Sequence, residues 1–186
     1  MLKQHEIKVP QNISVYYFSE KNILIVKYNN NTKIIKLKLK ILLQPKHITI
    51  LPEYIDYNIK TSDQYIKSLQ GSVCSVINNS FMEITSNFYK KLKIMGVGYK
   101  VFLIKTKKNS IIHLKLGFSH SIYVKIPEDI SVKNFKTNKL IFTCKNLVKL
   151  TALTSILKAC KKPDSYKAKG ISFDNEKIIL KIGKVV

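Results

Sequence analysis

The chain contains no arginine: all 33 of its basic residues are lysines. It has no tryptophan and only three alanines, Ala152, Ala159 and Ala168. Arginine's planar fork suits phosphates and carboxylates better than an ammonium does, so no folding or binding requirement explains its absence. Lysine, isoleucine and asparagine are abundant instead. Their codons are rich in A and T, whereas most arginine and all alanine and glycine codons need G and C. The pattern therefore points to a strongly AT-biased genome, with a mitochondrion as the leading expectation and a plastid or an AT-rich bacterium as the alternative. No run approaches 18 consecutive apolar residues, which excludes a transmembrane helix. The opening MLKQHEIKVP lacks the apolar core of a signal peptide and the Arg/Ser-rich, acid-free character of a transit peptide, so no cleavable leader is expected. Cys74, Cys144 and Cys160 are odd in number and widely spaced, which argues against a disulfide framework and fits a reducing compartment.

What is present is positive charge on a foldable chain. Over 186 residues, 33 lysines face only 11 acids, a formal charge of +22, while 45% of residues are hydrophobic. That is enough apolar material for one domain or two small ones, so the chain is not a disordered basic tail. Self-repulsion at this charge destabilises an isolated compact state, and a polyanion is the natural partner.

An internal repeat organises the chain. KVPQNISV, from Lys8 to Val15, recurs as KIPEDISV, from Lys125 to Val132. Each copy precedes an apolar run ending in lysine, NILIVK (Asn22 to Lys27) and KLIFTCK (Lys139 to Lys145), and each half then reaches a helix. Two tandem, related α+β domains are expected, 1–82 and 83–186, each a mostly antiparallel sheet with one packed helix. TKIIKLKLKILL (Thr32 to Leu43) alternates lysine with Leu or Ile between Lys36 and Ile41 and predicts one half-buried strand. From a cap at Ser62-Asp63, the spacing of Tyr65, Leu69, Val73, Val76 and Ile77 predicts a helix. Gly71 within it marks either a close packing contact or a tolerated glycine. Ile84 to Ile126, broken by Gly96, Gly98, Gly117 and the Lys107-Lys108-Asn109-Ser110 cluster, reads as strands and hairpin turns. A second helix is predicted from about Asn146 to Lys162, with Leu153, Ile156, Leu157 and Cys160 on one face and Pro163 stopping it. ISFDNEKIILKIGK looks like a short strand pair.

No catalytic constellation emerges. Gly96-Val97-Gly98-Tyr99 lacks the third glycine of a dinucleotide loop and reads as a bulge or close backbone approach within a strand. Glu128-Asp129 after Pro127 reads as a turn. His113 and His120 share no ligand spacing with any cysteine. Cys160 has lysine neighbours that can lower a thiol pKa, but its place on an apolar helix face predicts a packed, inert thiol. No enzyme activity and no cofactor or metal are therefore expected. The lysines are the remaining signal: eight with no acid from Tyr89 to Phe118, and eight again from Ser131 to Lys162. The segment KKPDSYKAKG, Lys161 to Gly170, gathers four lysines and an aromatic ring, the chemistry for neutralising phosphates and stacking on RNA bases.

Three blocks carry a family resemblance. SLQGSVCSVINNS with YKKLKIMGVGYK, LKLGFSHSIYVKIPEDI, and KKPDSYKAKGISFDNEKIILKIGK together resemble the universal large-subunit ribosomal protein six in its bacterial and organellar form. The resemblance implies a structural protein of two α+β domains related by duplication. It implies binding to large-subunit rRNA near the sarcin-ricin loop and the docking site of translational GTPases, with the second domain making the main RNA contacts. Neighbouring large-subunit proteins are the further partners, and no membrane insertion is implied. Carried across, Lys161, Lys162, Tyr166, Lys167, Lys169 and Gly170 would face RNA. The other RNA-binding residues expected from the matched blocks are Lys93, Lys100, Ser119, His120, Lys177, Lys181 and Lys184. Ser165 and Ala168 stand where the family pattern has proline and glycine. A free-standing organellar RNA-processing or RNA-binding factor is the alternative. A peripheral membrane protein would need a basic helix with a strongly apolar opposite face, which neither predicted helix has.

Overall fold

The two copies of the repeated octapeptide fold into the same turn. The Ile13 N–H donates to the Pro10 carbonyl at 3.1 Å, and the Ile130 N–H donates to the Pro127 carbonyl at 3.1 Å. Each isoleucine is buried, so proline sets the turn and isoleucine anchors it in a core. The computed structural model describes residues 5–54, 63–106, 110–136 and 138–183. The chain forms two compact units, Met1–Ser86 and Asn87–Val186.

The first unit contains β1 (His5–Lys8), β2 (Ser14–Phe18), β3 (Ile23–Tyr28), β4 (Asn31–Lys36), β5 (Leu39–Leu43), β6 (His47–Tyr54) and α1 (Asp63–Thr85). Its strands form two antiparallel sheets, ordered β2-β3-β4 and β1-β6-β5. The alternation in TKIIKLKLKILL survives as burial: Ile35, Leu37, Leu39 and Ile41 are buried, while Lys36 and Lys38 are exposed. The single strand expected there is nevertheless two strands in two sheets. The Leu37 N–H donates to the Asn22 carbonyl at 2.9 Å, one rung beyond the Ile23–Lys36 pair, and the chain then bends at Lys38.

Helix α1 covers this core with Val73, Ile77, Phe81 and Ile84. Burying a side chain of this size contributes roughly 1.5–3 kcal/mol. Glu83, also buried, pairs with Lys33 of β4. Tyr65 and Val76, expected on the packed face, are instead 46% exposed each. The buried stripe recruits Gln70 and Ser80 in their place: Gln70 Nε2 donates to the Ile50 carbonyl at 3.2 Å, and Ser80 Oγ to the Val76 carbonyl at 2.7 Å. Gly71 faces open space, since a Cβ there would meet nothing within 4 Å. The expected cap residue Ser62 lies outside the described residues.

The second unit contains β7 (Phe88–Met95), β8 (Lys100–Lys105), β9 (Ser110–Lys115), β10 (Ile122–Ile126), β11 (Ser131–Lys136), β12 (Lys139–Cys144), α2 (Leu147–Cys160) and β13 (Gly170–Phe173). The sheets are β11-β12-β7-β13 and β10-β9-β8, again antiparallel. The fold is α+β throughout, with each unit dividing its strands between two small sheets. The core joins Leu92, Ile94, Ile112, Leu114, Leu140 and Phe142 to Leu150, Leu153 and Leu157 of α2. Ile156, expected on that face, is 56% exposed; the buried Thr154 takes its place, its hydroxyl bonded to the Leu150 carbonyl at 2.9 Å. Gly96 and Gly98 lie in the turn between β7 and β8 rather than in a strand. Of the predicted final strand pair only β13 forms among the described residues. Lys107, Lys108 and Asn109, part of the predicted turn cluster, lie outside them.

The pairings of the two units correspond in a shifted order. Matching β10, β11 and β12 to β1, β2 and β3 through the shared turn sets β7, β8 and β9 opposite β4, β5 and β6. All four strand pairings of the first unit then recur in the second. The strands of the second unit therefore start at the equivalent of the fourth strand, a circular permutation of strand order. The helix does not share it, since α1 follows β6 and α2 follows the equivalent of β3; β13 is an added strand on the free side of β7.

Candidate nucleic-acid interface

Helix α2 leads directly into the lysine-rich segment. Asn146 caps it, its Oδ1 accepting the N–H groups of Val148 (2.9 Å) and Lys149 (3.2 Å). The helix ends at Cys160, and Lys161 is extended with φ −151°. Asp164 closes the following loop. Its N–H donates to the Lys169 carbonyl (3.0 Å), its carbonyl accepts from Ala168 (2.9 Å), and its Oδ2 accepts from the Lys167 N–H (3.3 Å). Ala168 sits at φ +54°, a left-handed conformation that favours glycine, which is the residue the family pattern has there. The Ser165 carbonyl, where the pattern has proline, accepts the Lys181 N–H at 2.9 Å.

This loop leaves Lys162, Tyr166, Lys167 and Lys169 exposed, with Tyr166 57% accessible. Gly170, expected on the RNA-facing surface, is instead buried. Its hydrogens point at the backbone of Lys162 and Pro163, where a Cβ would lie 2.6 Å from the Lys162 carbonyl oxygen. Its role is to let β13 pass close under the loop, fixed by the Ile171 N–H donating to the Lys161 carbonyl at 2.8 Å.

A second loop, between β9 and β10, meets the first. Gly117, at φ +73°, leaves room for the Tyr99 ring. Phe118 and His120 stack with centroids 5.6 Å apart and planes 13° apart. Lys161 Nζ stands 4.1 Å from the centroid of the Phe118 ring, a cation–π contact. Ser119 and His120 are exposed on this loop. The leucine-glycine-phenylalanine-serine-histidine block and the KKPDSYKAKG block, 43 residues apart at Phe118 and Lys161, thus form one surface.

The other expected residues divide. Lys100 is exposed at the start of β8, and Lys177 and Lys181 are exposed beyond β13. Lys93 is half-buried and ion-paired to Asp174 at 2.6 Å, which makes it in part a tie between β7 and the segment after β13. Lys184 lies outside the described residues. Sequence reasoning passed over Phe118, although it lies within the quoted block, and the cluster around Phe173. There Lys90 and Lys158 stand 4.9 and 5.0 Å from the ring centroid, and Lys158 pairs with Glu176 at 2.7 Å.

Four of the five acids of this unit, Asp129, Asp164, Asp174 and Glu176, are engaged with the scaffold. The Lys93 ammonium holds Asp174 below the usual carboxylate range, and Lys158 together with the Phe173 N–H does the same for Glu176. Asp129 pairs with Lys149 and raises its pKa. Burial pushes the Cys160 thiol up, in keeping with a packed, unreactive side chain. Among the described residues no three His, Cys, Asp or Glu side chains cluster where they could hold a metal. Among the same residues no helix is long and apolar enough to cross a membrane.

Charge is divided unequally between the units. Asn87–Val186 carries 22 lysines and five acids, a formal +17, against 11 lysines and six acids, +5, for the rest of the chain.

No family model matches the chain. Among curated proteins, the large ribosomal subunit protein uL6 of Nautilia profundicola is 32% identical over 169 residues, covering 89% of this chain and 87% of that protein. The uL6 protein of Mycoplasmoides gallisepticum is 31% identical over 180 residues, covering 96% and 92%. This chain belongs to the uL6 family. The Campylobacter fetus uL6 protein, 30% identical over 180 residues, extends the match to 96% of this chain and 93% of the relative. These uL6 matches span both units, so the lysine-rich loop and the Phe118 loop that meets it both lie within the family likeness.

Proposed function

We propose that this uL6-family chain is a structural constituent of the large ribosomal subunit that binds large-subunit rRNA and catalyses no reaction. The observation that carries the reading is the Lys161–Phe118 contact. It joins two loops that present Lys162, Tyr166, Lys167 and Lys169 beside Ser119 and His120, on the unit that holds most of the positive charge. Lysines there neutralise phosphates, and Tyr166 and His120 offer rings and polar atoms to bases. We assign the main rRNA contacts to the second unit, with Lys100, Lys177, Lys181 and Lys184 extending the footprint. The finer placement is near the sarcin-ricin loop and the docking site of translational GTPases, beside neighbouring large-subunit proteins. The lysine-only, alanine-poor composition supports an organellar ribosome, a mitochondrial one first, with the ribosome of a plastid or of an AT-rich bacterium as the alternative.

The test is co-sedimentation with large ribosomal subunits before and after a high-salt wash, with affinity for isolated large-subunit rRNA measured against salt. If about six to ten phosphates are neutralised, affinity falls roughly 10³–10⁵-fold between 50 and 200 mM salt. A flat salt response refutes the phosphate-dominated interface. Co-purification with free RNA-processing complexes and not with subunits favours the free-standing factor.

A further inference from the structure

The outer face of the β10-β9-β8 sheet carries a row of stacked rings. Register places Tyr123 opposite His113, and His113 opposite Phe102. Tyr123 and His113 have centroids 4.7 Å apart with planes 8° apart, and His113 and Phe102 are 5.6 Å apart at 26°. The outer two rings are open to solvent, Tyr123 63% and Phe102 44% exposed, and they stand on the two edge strands. His113 is the spacer: its Nε2 is buried with no hydrogen-bond partner. The stack therefore ends at each edge in an aromatic ring with solvent access.

Lysines flank this row. On the same face, two residues along each strand, lie Lys100 beside Phe102, Lys115 beside His113 and Lys125 beside Tyr123, all exposed and each about 7 Å along the chain from its ring. Lys100 and Lys115 are themselves paired across the sheet. From Tyr89 to Pro127 the sequence has no acid, so no carboxylate from these strands neutralises the face. The remaining same-face neighbours, Ile104, Ile111 and Ser121, are uncharged, so the only charges bordering the ring row are positive; that suits a ligand that alternates flat π surfaces with negative charges. Unpaired RNA has that chemistry.

We propose that the Tyr123–His113–Phe102 row is a second RNA contact, separate from the two loops, at which unpaired nucleobases extend the ring stack at Tyr123 or Phe102 while Lys100, Lys115 and Lys125 hold the flanking phosphates. It rests on the reading of the chain as an RNA binder, not on the role of the loops.

The test uses the full chain freed of RNA by a high-salt wash. One probe is an eight-residue oligoadenylate with 2-aminopurine at its centre; the other is an abasic ribose-phosphate oligomer of the same length and charge. Wild-type protein is expected to prefer the base-bearing oligomer by roughly five- to hundredfold, the range for one stacked base, and to quench the 2-aminopurine. Tyr123→Ala combined with Phe102→Ala should abolish that preference and the quenching, and Tyr123→Phe should keep both. Lys125→Ala should weaken both oligomers alike. Thermal melts of each variant confirm that the fold is retained. Equal affinity of wild type for the two oligomers overturns the proposal, as does a ring variant that keeps the preference. If the face instead docks a protein, equal oligomer affinities are the result. Failure of the broader reading is a different outcome, in which wild type binds neither a large-subunit rRNA fragment nor the oligomers.

Discussion

Replacing Gly170 by alanine separates shape from charge at the interface. The new Cβ would lie 2.6 Å from the Lys162 carbonyl oxygen, 2.7 Å from Pro163 Cα and 2.8 Å from the Lys162 carbonyl carbon. All three are backbone atoms, so no side chain can swing aside. The backbone itself is held by the Ile171-to-Lys161 bond of 2.8 Å and the Asp164-to-Lys169 bond of 3.0 Å. Overpacking of this kind costs about 1–3 kcal/mol, and φ +149° adds about 1–2 kcal/mol for a residue with a Cβ. The expected loss is about 2–5 kcal/mol in the second unit. At about 4–8 °C per kcal/mol for a unit of this size, its melting transition should fall by roughly 10 °C or more. Because Gly170 contributes no cation, the protein that remains folded should bind rRNA with an unchanged salt slope. Circular dichroism melts and salt-dependent binding of the variant check both statements. A melting temperature within about 2 °C of wild type, or a shallower salt slope in folded protein, refutes the assignment of Gly170 to packing.

Lys167→Ala with Lys169→Ala should do the opposite, changing stability by no more than about 0.5 kcal/mol while making the salt slope shallower by about two; an early melt with normal binding would make the loop structural. Ala168→Gly relieves a left-handed penalty of roughly 1–2 kcal/mol against an unfolded-state entropy cost of about 0.4–1 kcal/mol. It should therefore raise the melting temperature slightly, and a lower one contradicts the φ argument. Asp174 and Glu176 are held below the usual carboxylate range when folded, so the stability they add is present above the unfolded carboxylate pKa and lost as pH falls through the depressed folded values. Melts across acid pH should show this loss for wild type, and Glu176→Gln should be less stable at neutral pH and less acid-sensitive; an unchanged acid profile speaks against the Lys158 tie.

The repeated octapeptide was the most legible feature of the fold, because proline and isoleucine impose the same local turn wherever the flanking strands allow it. Binary patterning also located both helices. It failed at Tyr65, Val76 and Ile156, since apolar spacing cannot show that the Ser80 and Thr154 hydroxyls bond within their helices, or that Gln70 Nε2 reaches the Ile50 carbonyl, which lets the three sit in the core. TKIIKLKLKILL kept its alternation through a corner, which a period-2 count does not register. At the interface, the exposed lysines of KKPDSYKAKG were readable from composition. Their neighbour Phe118 was not, because the contact joins residues 43 apart, and Gly170 was misread because its burial arises only when β13 is laid against β7. Lys93 looked like one more free cation until Asp174 was brought beside it.

The permuted strand order also sets the sequence in which the units can be completed. β3 reaches β4 across the two residues Asn29 and Asn30, so that pairing is local. β7 has no such neighbour: its residues Lys93 and Met95 wait for Lys139 of β12 and Gly170 of β13. Distant pairings of this kind close slowly, and during synthesis the earlier unit folds first. The second unit therefore stays open until β13 has left the ribosome that makes it. The loop from Lys161 to Lys169 is tied to β13 by the Ile171-to-Lys161 bond and takes its final shape at that last step, so shape-specific binding to RNA marks a finished molecule.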